Sequence, residues 1–501
     1  MRWQRGLTVV LAVGVTTLSA CGTTVHTAAG LQSASDGSGL SVPTVAPSAS
    51  GRPGQPATDS TPVDGLPGSV ASGGTAAVAP GARPVPTESG AEVSAAQHSP
   101  IKVGFMYSLN DAAASAGVNN NQTVTPGNVM HALVADYNKT GGFAGRHVEP
   151  VYEQLKSSSN NYEGDLAAAC ASFTQDNHVA AVVVALGLFS ESFYSCLSRA
   201  GIPVVSADTG PDLRDAQAWP LLATPDEMLG DTRVIQVVDR LHATGWLTSH
   251  DRMGVVIEDC PVNQRIYANS LQPELRRLGI PVAATASPHC FQRISDLGTI
   301  SAEMGSAVVQ FRERRVSKVI FVSAGQEGTI AYEFMLAAGN QSWYPGYALS
   351  SDSFATTLQT QSGVPAREFA NARGVGWIPP SDSVKRGDWT ANAPTRACSS
   401  RVRTQGLQPA SANDQLIVQS ICDVFNVYDE ALQAMRGDSS AAATQQGIQR
   451  AARSYRSGLT LGGSAGVWDH GRLGPAQGRL FQYVPSQGGF VYTGRPFSFG
   501  A

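Results

Sequence analysis

The run Val179-Ala180-Ala181-Val182-Val183-Val184-Ala185, the segment Ser190-Glu191-Ser192-Phe193-Tyr194-Ser195-Cys196-Leu197-Ser198-Arg199-Ala200 and the run Ile202-Pro203-Val204-Val205-Ser206 together decide the fold. The first is unbroken and β-branched, the mark of a strand covered on both faces. The second reads as a helix with Ser190 at its cap. The third is another apolar strand, entered through Gly201. Strand, helix and strand within 28 residues make a parallel unit, because antiparallel neighbours need only a tight turn.

The same alternation extends in both directions. Upstream, Ile101–Met106 and Val148–Tyr152 read as strands. Val129, Leu133, Val134 and Tyr137 recur at helical spacing until Gly141-Gly142 stops the run, and 166–176 is a further helix. Downstream the pattern starts afresh. Helices are expected over 227–244, 265–278, 302–314 and 332–338, with strands at 252–257, 282–285 and 318–322. Two successive α/β lobes of similar size imply a cleft between them.

The amino terminus is a different kind of sequence. Arg2 and Arg5 precede an apolar run from Leu7 to Thr17, too short for a bilayer of ~30 Å but suited to an export signal. It ends in Leu18-Ser19-Ala20-Cys21-Gly22, which resembles a bacterial lipobox. That resemblance implies removal of residues 1–20 and lipidation of Cys21. Residues 22–98 contain no Phe, Tyr, Trp, Ile, Met or Lys. Such a segment cannot bury enough apolar area to offset its ordering entropy, so 21–98 is expected to be a lipid-anchored disordered tether with a reach of roughly 45–50 Å.

Over the whole 501 residues, 35 Lys and Arg against 39 Asp and Glu leave −4, which excludes a broadly basic nucleic-acid binder. Beyond Cys21 six cysteines remain, at 170, 196, 260, 290, 398 and 422. Fifteen pairings are possible. Joining neighbours, Cys170 with Cys196, Cys260 with Cys290 and Cys398 with Cys422, is the simplest that leaves none over. A metal is disfavoured: no CxxC occurs, and His289-Cys290 has no second pair at ligand spacing. No cofactor is expected.

Ile101-Lys102-Val103-Gly104, the helix ending Tyr137-Asn138-Lys139-Thr140-Gly141-Gly142-Phe143-Ala144-Gly145-Arg146, Ala200-Gly201-Ile202-Pro203-Val204-Val205-Ser206, and Val467-Trp468-Asp469-His470-Gly471-Arg472 with Phe481-Gln482-Tyr483-Val484 resemble, in order and spacing, solute receptors of the branched-chain amino-acid-binding-protein type. The resemblance covers 101–501. It implies a type I periplasmic-binding fold: two lobes, each a parallel sheet flanked by helices, joined by three crossings and closing on a small ligand. The binding body is then 99–501, with lobe one about 99–222 and 352–465, and lobe two about 223–351 and 466–501.

In such a fold ligands meet loops at the carboxyl ends of strands. The candidates in lobe one are Tyr107, Asn110, Phe189, Ser190, Asp208 and Thr209. Those in lobe two are Glu258, Asn263, Gln326 and Asp352. The resemblance implies hydroxyl contact with a ligand carboxylate at Ser190, backbone and hydroxyl contacts at Asp208 and Thr209, and pairing of Asp352 with a ligand ammonium. Ser190 and Asp208 are also ordinary helix caps. Asn110-Asp111-Ala112-Ala113 lacks the Thr-Gly step usual in these receptors, and Asn263 replaces a common aromatic residue. Residues 379–412 read as a polar insertion or long loop.

Gly462-Gly463-Ser464-Ala465-Gly466 matches the GxSxG elbow, but Val467-Trp468-Asp469-His470 follows too closely to fold back as a triad. An enzyme is therefore not expected. The expectation is a lipid-anchored receptor on the outer face of the cell membrane, capturing a small polar, amino-acid-like solute for an ABC-type permease. The alternative is an envelope protein that senses its ligand through a membrane or secreted partner without transport.

Overall fold

The computed structural model describes residues 99–109, 123–156, 158–185, 189–207, 210–361, 363–385, 387–389, 391–463, 465–468 and 472–499. The signal segment, Cys21, the tether, Asn110, Asp208, Thr209 and Ser464 lie outside them.

The first sheet contains β1 (Ile101–Leu109), β2 (Val148–Lys156), β3 (Ala181–Ala185), β4 (Val204–Ser206) and β5 (Leu222–Ala223). They are arranged β2-β1-β3-β4-β5, all parallel. Between them run α1 (Pro126–Lys139), α2 (Tyr162–Ala171), α3 (Glu191–Arg199) and α4 (Leu213–Ala218). The alternation of side chains explains the two layers. Val103, Phe105, Val183 and Val205 point into one core with α1, while Met106, Val182, Val184 and Val204 point into the other with α2 and α3. Both faces are dry, which is why 179–185 carries no polar residue. The Gly-Gly stop of α1 forms as expected: Gly141 and Gly142 take φ of 113° and 82°, and the Gly142 N–H bonds back to the Tyr137 carbonyl at 2.7 Å.

The second sheet contains β6 (Met253–Ile257), β7 (Val282–Ala286), β8 (Lys318–Val322), β9 (Gly346–Ser350) and β10 (Arg373–Gly376), joined by β13 (Gln477–Val484) and β14 (Gly489–Ser498). Its order is β14-β13-β10-β9-β8-β6-β7, with β13 antiparallel to β10 and β14 antiparallel to β13. Its helices are α5 (Gly230–Ala243), α6 (Pro261–Ile266), α7 (Gln272–Arg277), α8 (Leu297–Glu313), α9 (Glu327–Asn340), α10 (Ala355–Thr360), α11 (Ala366–Phe369) and α12 (Pro379–Asp382). The same alternation holds here. Val319, Phe321, Tyr347 and Leu349 pack with α8 and α9, and Val255, Ile257, Ile320 and Val322 with α5 to α7. The expected helices over 166–176 and 265–278 each contain a π-helical turn, at Ser172–Asp176 and Tyr267–Leu271.

Three further helices, α13 (Ala393–Thr404), α14 (Ala412–Ala434) and α15 (Ala441–Ala451), follow. Their apolar residues, among them Val402, Val424, Phe425 and Tyr428, join the α1 core of the first sheet. Two corrections follow. The segment 379–412 is not a long loop, because α13 occupies twelve of its residues, capped by the Asn392 side chain on the Thr395 N–H at 2.8 Å. The return to lobe one also falls later than 352. β10 completes the second sheet between β9 and β13, and Ala355, Leu358, Phe369 and Ala372 belong to that sheet's core. The pair β11 (Ala465–Trp468) and β12 (Arg472–Pro475) forms a separate antiparallel ribbon.

All three neighbour pairings of cysteines form. Cys170–Cys196 ties α2 to α3, with Cα atoms 6.4 Å apart; Cys260–Cys290 ties the loops after β6 and β7, at 5.1 Å; Cys398–Cys422 ties α13 to α14, at 6.0 Å. Among the described residues no helix is long and apolar enough to cross a membrane.

Candidate functional site

The carboxyl ends of the second sheet's strands carry a buried polar cluster. Glu258 follows β6, Ser323 and Gln326 follow β8, and Ser351, Asp352 and Ser353 follow β9. Asp352 is 2% exposed, and its carboxyl is already engaged. The guanidinium of Arg233, on the first turn of α5, bonds to its Oδ2. The same guanidinium donates to the Ser323 carbonyl at 2.6 Å and lies 3.6 Å from Glu327. Glu327 in turn accepts from the hydroxyls of Ser350, at 2.9 Å, and Ser353. The acid expected to pair with a ligand thus carries an internal ion pair.

Glu258 and Asn263 form a second unit. The Asn263 amide donates to Glu258 at 3.3 Å and accepts from the Ala324 N–H at 2.8 Å, while the Phe291 N–H donates to Glu258 at 3.1 Å. Burial pushes the Glu258 carboxyl up to about 7, against the pull of those donors. Asn263 therefore positions the β6 and β8 loops relative to each other through both ends of its amide. Gln326 opens α9; its N–H donates to Ser323 Oγ at 3.0 Å, and its Oε1 accepts from Thr329 at 3.0 Å.

In lobe one Ser190 caps α3, its Oγ accepting from the Phe193 N–H at 3.4 Å and lying 3.0 Å from Ser192 Oγ. Tyr107 belongs to the α1 core, its hydroxyl accepting from Gln154 at 2.6 Å and lying 3.3 Å from His131 Nε2. Phe189 is different. It stacks on Tyr194 at 5.7 Å and lies 5.9 Å from Trp219, yet it also packs against the α5–α7 core of the second sheet. It is an aromatic surface where the two lobes meet.

One guanidinium joins the lobes beside it. Arg265, on α6, reaches Asp212 at 2.5 Å, Asp215 at 2.6 Å and Glu191 at 2.8 Å, all three belonging to α3, α4 and its cap. Burial, then the carboxylates of Asp212 and Glu191, push Asp215 up to about 7 despite that guanidinium. The strand ends of both lobes therefore face one another across charged and aromatic groups.

No protein-family profile matches the chain, and no curated protein does. Solved structures do match. The body has the two-lobed fold of ABC-transporter substrate-binding proteins. Such a protein from Desulfitobacterium hafniense, complexed with leucine, is 14% identical with a TM-score of 0.53, covering 79% of this chain and 100% of its own. A solute-binding protein from Rhodopseudomonas palustris in complex with 4-hydroxybenzoate is 12% identical, with a TM-score of 0.57 over 80% of this chain and 97% of its own. A fatty-acid ABC-transporter substrate-binding protein from Thermomonospora curvata is 13% identical, with a TM-score of 0.52 over 80% and 92%. The fold expected from the sequence is thus present.

Within this substrate-binding-protein fold, Arg233, Arg265, Asp212 and Asp215 are the site-region residues that sequence reasoning missed. The two arginines lie inside helices, where a cation ordinarily faces solvent, and nothing local distinguishes them.

Proposed function

We propose that this protein is an extracytoplasmic solute-binding receptor, anchored through Cys21 and its tether, that closes on a small polar molecule and delivers it to an ABC-type permease. The observation that supports this most directly is Phe189 with the Arg265 cluster: groups from both lobes converge at the strand ends, where closure would enclose a ligand. Ser190, Asp208 and Thr209 are the proposed lobe-one contacts, with Tyr107 and Asn110 at the neighbouring strand end. Glu258, Asn263, Gln326 and Asp352 line the lobe-two side. Phe189 supplies an apolar wall, which suits a solute with one hydrocarbon or aryl face. An amino-acid ammonium would have to share Asp352 with Arg233.

A thermal-shift screen of the full body against leucine, 4-hydroxybenzoate, a medium-chain fatty acid, sugars and short peptides tests the reading. A ligand at about 100 times its Kd adds ~2.7 kcal/mol to stability, a clear rise in Tm. Absence of a shift across all of these classes would remove the support for a receptor.

A further inference from the structure

The chain leaves the first sheet for the second at 224–229, and passes from α15 toward β13 through 456–461. These two passages touch through an acid pair. Asp226 lies on the first passage and Asp423 on α14, each 1% exposed. Ser457, on the second passage, places its Oγ 3.0 Å from Asp226 Oδ1 and 2.6 Å from Asp423 Oδ2. Trp377, beyond β10, donates its indole Nε1 to the Asp226 carbonyl at 3.0 Å. Elements of both lobes and both passages thus meet at one point.

The donors are unevenly shared. Asp423 accepts from the Gly458 N–H at 2.9 Å, the Leu459 N–H at 3.2 Å and the Tyr455 hydroxyl at 2.7 Å. Among the described residues Asp226 accepts no backbone N–H; its side chain meets the Ser457 hydroxyl and the Asp423 carboxyl. No guanidinium or ammonium bonds to either carboxyl among the described residues. The ionisable groups around them are the Tyr455 phenol, Glu430 on the same helix as Asp423, and Glu227 beside Asp226. None of these supplies positive charge. Two carboxylates at one dry point cannot both ionise cheaply. Asp423 holds the donors suited to an anion, so Asp226 is the one suited to keep a proton.

We propose that Asp226 and Asp423 share a single proton, carried on Asp226, and that this proton locks the hinge between the lobes. Its loss to solvent leaves two facing anions and frees 224–229 from 456–460. Burial first, and the neighbouring carboxyl second, hold the Asp226 carboxyl well above the usual range. A carboxyl raised in the folded state stabilises most at acid pH, and that contribution falls as pH rises toward its folded value. The receptor reading supplies what the hinge is for, but the lock itself is tested without any ligand.

Thermal midpoints of the full chain would be measured at pH 5.5, 7 and 8.5 for wild type, Asp226→Asn and Asp423→Asn. Other titrating groups cancel in the difference between wild type and Asp226→Asn. The wild-type midpoint is expected to fall relative to Asp226→Asn by about 2–4 °C across this range. Asp423→Asn is expected to be the weaker fold throughout, because its amide faces N–H donors. Parallel wild-type and Asp226→Asn curves, or an Asp423→Asn variant as stable as Asp226→Asn, would overturn the assignment. Hydrogen exchange over 455–460, corrected for intrinsic rate, needs no Asp423 variant. Opening that increases with pH in wild type but not in Asp226→Asn supports the lock, and equal corrected rates in both refute it.

Discussion

Arg233 shows how a single side chain changes the meaning of a site. Asp352 alone, at a strand end, reads as an anion waiting for a cationic ligand; with Arg233 beside it, the charge is already met. The pairing was not legible because the two residues lie 119 positions apart and Arg233 belongs to an ordinary amphipathic helix. Glu258 and Asn263 were legible as polar residues at a strand end, but their bond to each other was not. Arg233→Ala would leave Asp352 and Glu327 buried without their counter-ion. Removing one member of a buried pair costs about 3–5 kcal/mol, so the urea midpoint should fall sharply. Asp352→Asn should cost less, since Arg233 retains Glu327. Equal and small losses in both variants would show that the ion pair is not held in solution.

Legibility at the scale of elements follows hydrophobic content. β3 and β8, unbroken and β-branched, are found where the sequence places them. β10, with only Val375 among Arg373, Gly374 and Gly376, gives no periodic signal, and its loss from the reading moved the lobe boundary. α13 is hidden for the same reason: it is polar and Arg-rich, and only Cys398 and Val402 mark its inner face. α14 is anchored by Asp414, whose carboxylate accepts from the N–H groups of Thr123, Val124, Ala410 and Ser411 at 2.7, 3.2, 3.0 and 2.9 Å. Burial alone would raise this acid, but those donors outweigh it and hold it at about 2. Its contribution is present above the unfolded value near 4 and lost as pH falls toward 2. Asp414→Asn should therefore cost about 2–3 kcal/mol at pH 7, with the gap to wild type closing by pH 2. A gap that is the same at both pH values would contradict that origin.

For the whole molecule, the two-lobed plan was legible because βα alternation restarts after 223, and restarting needs no knowledge of contacts. What joins the lobes was not. Arg265 finds its partners 50, 53 and 74 positions away, and the local role open to Asp212, capping α4, gives no sign of a partner in the other lobe. Arg265→Ala would leave three carboxylates facing an empty place. Losing these charge-assisted bonds should weaken lobe contact by about 2 kcal/mol, roughly thirtyfold in the balance between apart and together. Small-angle scattering of the ligand-free protein should then show a larger radius of gyration, and an unchanged profile would rule out the bridge. The disulfides act on a different degree of freedom. Each joins neighbouring elements of one lobe, and none spans the two. Oxidation therefore stiffens each jaw without bolting one to the other. A reducing surrounding would soften each jaw separately, while the grip between them would still be set by charge and protons.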